Sequence, residues 1–484
     1  MESTGDNRQI PMVQIGDFDK KPEETPTNSN SGRKISNFVF WNKTRVIILI
    51  LSLTCMTLAQ INSQIFTFTV ICMDDLVAEN RALNSTEPHW IERSTEKSVL
   101  FSAAAVGALI GLIPAVPLVN RLGVRLTLSF CGFCSTIGTF FVPLVVPISF
   151  YLVVLCRVLQ GIGISILLTV LGLIPSSWSP KLEYSTYLAI LSCAWQFSSI
   201  IFMPVSGLLC DSIWGWRSIY YLFGALTGVF FLIFYIFYTD RPTIHKNVSE
   251  KELNNISDGK PEQTVREAVP YRKMLTDRCV ITAWISFLGG NLGFITLLLY
   301  GPTYIREVLH FDVRETGYIN ALPYALCALY KFVAGKVSDR VTFASEKAIY
   351  TFWLFSSVIG LAIGYAIMAY TSDRIIAFCA FSFAIVTSGL IIMATVKCLQ
   401  MRCQQHCHFG VNAISFISCC VQFLAPLFVG WMCPDNTSEQ WSRLFIIIIF
   451  VMLITNAPFP WLTTQEPADY TKRKDSNAFS VEKC

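Results

Sequence analysis

The chain has 484 residues, of which 53% are hydrophobic and only 14% charged, with a mean hydropathy of +0.51. That composition excludes an ordinary soluble domain and indicates a polytopic membrane protein. The net charge of +4 is small and its basic residues are scattered, which excludes a nucleic-acid partner.

Residues 1–44 are polar, rich in Asn, Ser, Thr and Pro, and carry no apolar run. They read as a disordered cytoplasmic tail rather than a cleaved signal peptide, so the first helix has to act as the membrane signal. At about 20 residues per span, the apolar runs that follow predict twelve transmembrane helices. They fall near 45–71, 98–118, 126–146, 150–174, 187–209 and 218–238, then 280–300, 317–337, 348–370, 375–396, 411–431 and 444–461. The expected fold class is therefore an all-α membrane protein of two six-helix bundles, 45–238 and 280–462. A charged cytoplasmic linker, 239–279, joins them, and a cytoplasmic tail, 463–484, follows. Most of the 17 cysteines, such as Cys131, Cys134, Cys193 and Cys379, sit inside apolar runs as small hydrophobes, so no disulfide pairing is implied.

With both termini inside, about 25 lysines and arginines fall in cytoplasmic segments against about 8 in the opposite loops, as the positive-inside rule requires. On that topology the sequons at Asn84 and Asn436 lie outside and are glycosylation candidates, whereas those at Asn42, Asn247 and Asn255 face inward and stay bare.

One charge is set inside the fourth run. Arg157 lies in FYLVVLCRVLQGIGISILLTVLGLI, and an uncompensated guanidinium in hydrocarbon costs several kcal/mol, so it is expected to face a polar path. The two halves also repeat. Asn120-Arg121 follows the second run and Gly335…Asp339-Arg340 follows the eighth, about 220 residues apart, where an acid or amide beside an arginine suits a lock between neighbouring helices.

Those two loops resemble the inter-helix motif of the major facilitator superfamily. Further stretches narrow the likeness to its anion:cation symporter family of sodium-phosphate cotransporters, sialin and vesicular glutamate transporters. They are Arg157-Val158-Leu159-Gln160-Gly161, Trp178-Ser179-Pro180-Lys181, Met203-Pro204-Val205-Ser206-Gly207, Tyr271-Arg272-Lys273-Met274-Leu275, Gly301-Pro302-Thr303-Tyr304-Ile305 and Ala321-Leu322-Pro323-Tyr324, in family order through both halves.

The resemblance implies alternating access to a central cavity, with the halves rocking about an organic or inorganic anion held near the bilayer midplane. It places Arg157 at the anion and Gln160, Gln196 and Asn291 along the cavity. The bland alternative for these amides is ordinary interhelical hydrogen bonding.

Departures from the family pattern are equally specific. Ser63 stands where a second arginine is common, leaving Asn62 and Gln64 as the polar candidates of that stretch, and Ile164 replaces a glutamate able to take a proton. Val106-Gly107-Ala108 replaces tyrosines, Met401-Arg402-Cys403-Gln404 replaces an Asp-x-x-Pro pattern, and Ser415 replaces an asparagine.

Lys331, inside the eighth run, is expected to snorkel to the interface near Asp339, the lesser reading being a replacement cation for the anion site. Cys398, Cys403, His406, Cys407 and His408 share a loop, but their spacing matches no standard zinc site, and no metal or other cofactor is expected. No nucleophile–base pair indicates an enzyme.

The reading is a secondary transporter of a small anion, driven by sodium or protons or by neither, in the plasma membrane or an organelle. A carrier of neutral or other solutes and a non-transporting receptor stand as alternatives.

Overall fold

A computed structural model describes residues 40, 42–82, 89–180, 183–257, 270–341 and 344–471. Asn84 and most of both tails lie outside them. Among the described residues the regular elements are all helical.

The long helices, numbered in chain order, are α1 Thr44–Thr69, α2 Ser94–Ala115, α3 Arg121–Val145, α4 Phe150–Trp178, α5 Thr186–Cys210 and α6 Gly215–Phe237. The second half has α7 Arg278–Val308, α8 Val313–Arg340, α9 Glu346–Tyr370, α10 Arg374–Cys403, α11 Cys407–Met432 and α12 Ser438–Leu462. Eleven are long and apolar enough to cross a membrane. The expected twelfth, α8, has the length at 28 residues but not the apolarity. Arg314 and Glu315 open it, Lys336, Asp339 and Arg340 close it, and Lys331 lies between. Its polar groups make sense only if one face is kept from lipid.

Four helices predicted as continuous are broken, the last being α12, which divides after Asn456 and resumes at Phe459. α4 divides after Ile164 and resumes at Leu167, α5 divides at Cys193, and α10 divides between Ser388 and Ile391. A helix break frees backbone polar groups, which at membrane depth is tolerated where protein or a cavity receives them.

The two ends of the molecule differ. At one end Cys72, just after α1, is disulfide-bonded to Cys210 at the end of α5, a pairing that cysteine spacing alone did not imply. At this disulfide end the halves interlock. Ser94 Oγ donates to Gly430 O at 3.3 Å, Ser102 Oγ donates to Phe423 O at 2.8 Å, and the Phe101 and Tyr300 rings lie 4.9 Å apart. The α5–α8 crossing is tighter still, since a Cβ on Gly317 would stand 2.6 Å from Met203 O. One apolar core, including Ile65, Phe66, Phe101, Tyr300 and Trp441, runs through both halves here.

At the opposite end, the charged-loop end, the described ion pairs stay inside one half. Arg45 meets Glu183 at 3.2 Å, Arg402 meets Asp277 at 2.8 Å, and Lys397 meets Glu346 at 2.6 Å. The first half has its own core towards this end, built on Ile48, Trp178, Phe234 and Tyr238. The halves are thus joined by direct contacts at the disulfide end, whereas these ion pairs brace each half by itself at the charged-loop end.

The expected lock at Asn120 is untested, because its side chain lies outside the described ones. Arg121 is exposed, and the described lock is Asp240, beyond α6, whose Oδ1 accepts the backbone N–H groups of Val124 at 2.7 Å and Arg125 at 3.1 Å. That approach needs Gly123, whose φ is 82° and ψ 171°, and whose added Cβ would meet Asp240 Oδ2 at 2.3 Å. In the second half Gly335 has open space beside it and Arg340 is exposed, while the side chain of Asp339 lies outside the described ones. Gly123→Ala is expected to destabilise the protein by about 2 kcal/mol or more, from the glycine-only backbone region alone. A lowered thermal midpoint in detergent, absent in Gly172→Ala where a Cβ meets open space, checks it.

Candidate functional site

Arg157 is 1% exposed and packed where α1, α2 and α4 meet. Close contact brings α2 and α4 together there, since a Cβ on Gly161 would stand 1.8 Å from Ala104 O. The guanidinium donates through Nε to Leu100 O at 3.2 Å, and through Nη1 to Ser63 O at 3.0 Å and Gln160 Oε1 at 2.5 Å. It also lies 5.3 Å from the centre of the Phe66 ring. Gln160 Nε2 continues the network to Thr139 Oγ1 at 3.0 Å. These contacts satisfy the cation largely from neutral acceptors inside the first half, without a carboxylate.

Two further candidates belong to the same interior. Asn62 Nδ2 donates to Ser135 Oγ at 3.1 Å, and its Oδ1 accepts from Thr227 Oγ1 at 3.3 Å. Gln64 Oε1 accepts from Ser199 Oγ at 3.4 Å, while its Nε2 is buried without a partner. Asn62 therefore ties α1 to α3 and α6, and Gln64 ties α1 to α5.

Gln196 and Asn291 lie elsewhere, on a cavity of about 120 Å³ between the halves. Its polar lining is Gln60, Gln196, Asn291, Lys331, Ser418 and Gln422, together with Ser192 and Ser388 at the breaks in α5 and α10. The rest is apolar and includes Leu171, Trp195, Phe287, Phe294, Ile295 and Ile391. Asn291 Nδ2 donates to Ser418 Oγ at 3.4 Å, as does Gln422 Nε2, also at 3.4 Å. Arg157, Gln160, Asn62 and Gln64 do not line this cavity.

Lys331 supplies the cavity's cation and does not snorkel. It is 9% exposed, and eight residues, about 12 Å of helix axis, separate it from Asp339. With the Gln196 amide turned so that its oxygen faces the ammonium, the oxygen accepts from Lys331 Nζ at 2.8 Å and the amide nitrogen donates to Ser192 O at 3.2 Å. Among the described residues no carboxylate pairs with Lys331. The stem passes Gly389, where a Cβ would stand 3.4 Å from Lys331 Cε, so the break in α10 makes room for it. The eight-residue spacing from Asp339, taken in the sequence as near enough for snorkelling, was the signal that could have ruled it out. Gln60, Ser418 and Gln422 carried no signal that set them apart from other polar residues in apolar runs.

Cys398, Cys403 and His406 are buried, with Cys398 Sγ 3.9 Å from Cys279 Sγ and Cys403 Sγ 3.6 Å from the Tyr470 hydroxyl. Among the described residues no three His, Cys, Asp or Glu side chains are placed to hold a metal ion. Asn436, a sequon candidate, sits at the disulfide end just before α12.

Residues 49–422 match the Major Facilitator Superfamily. Among curated relatives the chain is 28% identical over 353 residues to sialin of Ovis aries, covering 70% of each chain. It is also 28% identical over 297 residues to sodium-dependent phosphate transport protein 3 of Mus musculus, covering 60% of this chain and 61% of that one. The fold is similar to that of a bacterial homolog to the human lysosomal transporter Spinster, in an inward-facing and occupied conformation. There the TM-score is 0.62 at 15% identity, over 86% of this chain and 96% of that one. A D-xylose-proton symporter gives 0.65 at 13% identity, over 86% and 98%.

Proposed function

The chain belongs to the Major Facilitator Superfamily, and on that premise we propose that it is a secondary transporter carrying a small anion across its membrane by alternating access. The observation that carries this is the cavity between the halves, where one lysine with no carboxylate partner among the described residues stands among amides and hydroxyls. A buried cation left unpaired is costly, and an entering anion supplies its missing partner. Sialin and the sodium-dependent phosphate transport proteins, the relatives it resembles, support the same substrate charge.

The disulfide end faces the oxidising side, outside the cell or in an organelle lumen, where such bonds persist. The charged loops and both termini are cytoplasmic, in keeping with the lysine and arginine distribution. Either sodium or protons are candidates for the driving ion. Coupling to protons through the α4 position of Ile164 is disfavoured, because an alkyl side chain cannot titrate.

Uptake into proteoliposomes tests the reading with radiolabelled anions and a neutral solute, each with and without sodium and pH gradients. Anion uptake above empty vesicles is expected, and the gradient that drives accumulation names the coupling ion. Uptake of the neutral solute alone, or of nothing, would sink the assignment.

A further inference from the structure

The first half already satisfies Arg157 with two backbone carbonyls and Gln160, whereas Lys331 of the second half is held by a single amide oxygen. A neutral amide facing an ammonium is a weak counterpart, and a charged acceptor there makes a stronger, shorter hydrogen bond. The amide is held by neutral contacts, its nitrogen to Ser192 O at 3.2 Å with the Cys327 thiol also within hydrogen-bond reach, and no charged group fixes it besides Lys331 among the described residues.

Resting on the transport reading above, we propose that Lys331 is the residue that contacts the transported anion, that Gln196 occupies its place when the cavity is empty, and that the anion is singly charged with a compact apolar body. The charge count sets the first property. One ammonium and no described lining carboxylate become neutral with a monoanion, whereas a dianion leaves net charge in a largely apolar enclosure. The lining sets the second. Trp195, Phe287, Phe294, Ile295 and Ile391 offer apolar surface that inorganic phosphate could not use. Size keeps that body small, because the cavity of about 120 Å³ lies below the roughly 150 Å³ that admits a benzene ring, so a single ring is its upper limit and requires some widening. The hydroxyl of Ser418 and the amide of Asn291 are left to orient the carboxylate.

Benzoate, benzamide and inorganic phosphate serve as probes, titrated by calorimetry into the purified full-length protein in detergent at neutral pH. Benzoate is expected to bind at least about tenfold more tightly than its neutral isostere benzamide, the size of one charge-assisted hydrogen bond. Lys331→Gln is expected to bring the two ligands to near equality, and Lys331→Arg to keep the preference. Should the glutamine variant fail to fold, Lys331→Met, unbranched and of similar length, gives the same reading.

Loss of affinity for both ligands in equal measure would mark a structural role for Lys331 and overturn the assignment, as would an unchanged preference for benzoate. Phosphate binding more tightly than benzoate, or no benzoate binding to the wild type, would overturn the substrate class. Anion uptake by wild-type proteoliposomes in any of these cases leaves the transport reading standing. Absence of all uptake overturns that reading itself.

Discussion

Arg157→Ala is expected to lower the thermal stability of the purified protein with no substrate present, by about 3 kcal/mol or more. The guanidinium satisfies Ser63 O, Leu100 O and Gln160 Oε1, on three different helices, at a position 1% exposed. Its removal leaves buried Gln160 Oε1 without its described donor, at a cost of about 1–3 kcal/mol, and also loses two charge-assisted bonds to helical carbonyls that keep their own intrahelical partners. Alanine also vacates the space over the Phe66 ring. Arg157→Lys is expected to recover only part of the loss, because an ammonium cannot reproduce the planar fork. Thermal unfolding followed by size-exclusion recovery checks this. A wild-type midpoint accompanied by lost uptake would return Arg157 to the direct anion contact that the family resemblance implied.

Gly317→Leu is expected to open the disulfide end and stop transport. At the α5–α8 crossing the obstacle to a side chain is backbone, with Met203 O at 2.6 Å and the Gly207 Cα at 3.0 Å from an added Cβ. A backbone contact cannot be relieved by a rotamer change, so the helices have to part. The conformation sealed at this end then loses stability relative to the one open to it, and the equilibrium moves as the differential strain dictates. A cysteine placed at Ser418, on the cavity, reports the change. Labelling by an impermeant thiol reagent from the disulfide side, read site by site by mass spectrometry, is expected to rise from slight to predominant. The Gly172→Ala background serves as the control, and unchanged labelling in Gly317→Leu would sink the idea.

Most of the scaffold was legible because the bilayer leaves few options. Long apolar runs separated by short loops have to become antiparallel helices, since hydrocarbon offers no partner to exposed backbone groups. α8 was readable by length but too polar to qualify by apolarity alone, and its polar face makes sense once the cavity it borders is seen. The breaks in α4, α5 and α10 were not legible, because apolar sequence on both sides of Ile164, Cys193 and Ser388 is compatible with a continuous helix.

The candidate site divided along the same line. Hydropathy and residue type marked Arg157 as a charge needing an explanation, and family pattern offered an anion. Three-dimensional neighbours answered part of that need with carbonyls of α1 and α2 that no linear pattern brings near it. Lys331 took the opposite course, from an interfacial residue by position to the cation of the cavity by packing against Gln196 and Gly389. Composition and periodicity thus settled the class, the helices and the short list of polar groups within them, because burial in lipid constrains every residue of a span locally. Which of those groups are spent on holding helices together and which remain free for a solute was decided only by tertiary contacts, because a hydrogen bond's partner lies far away in the chain.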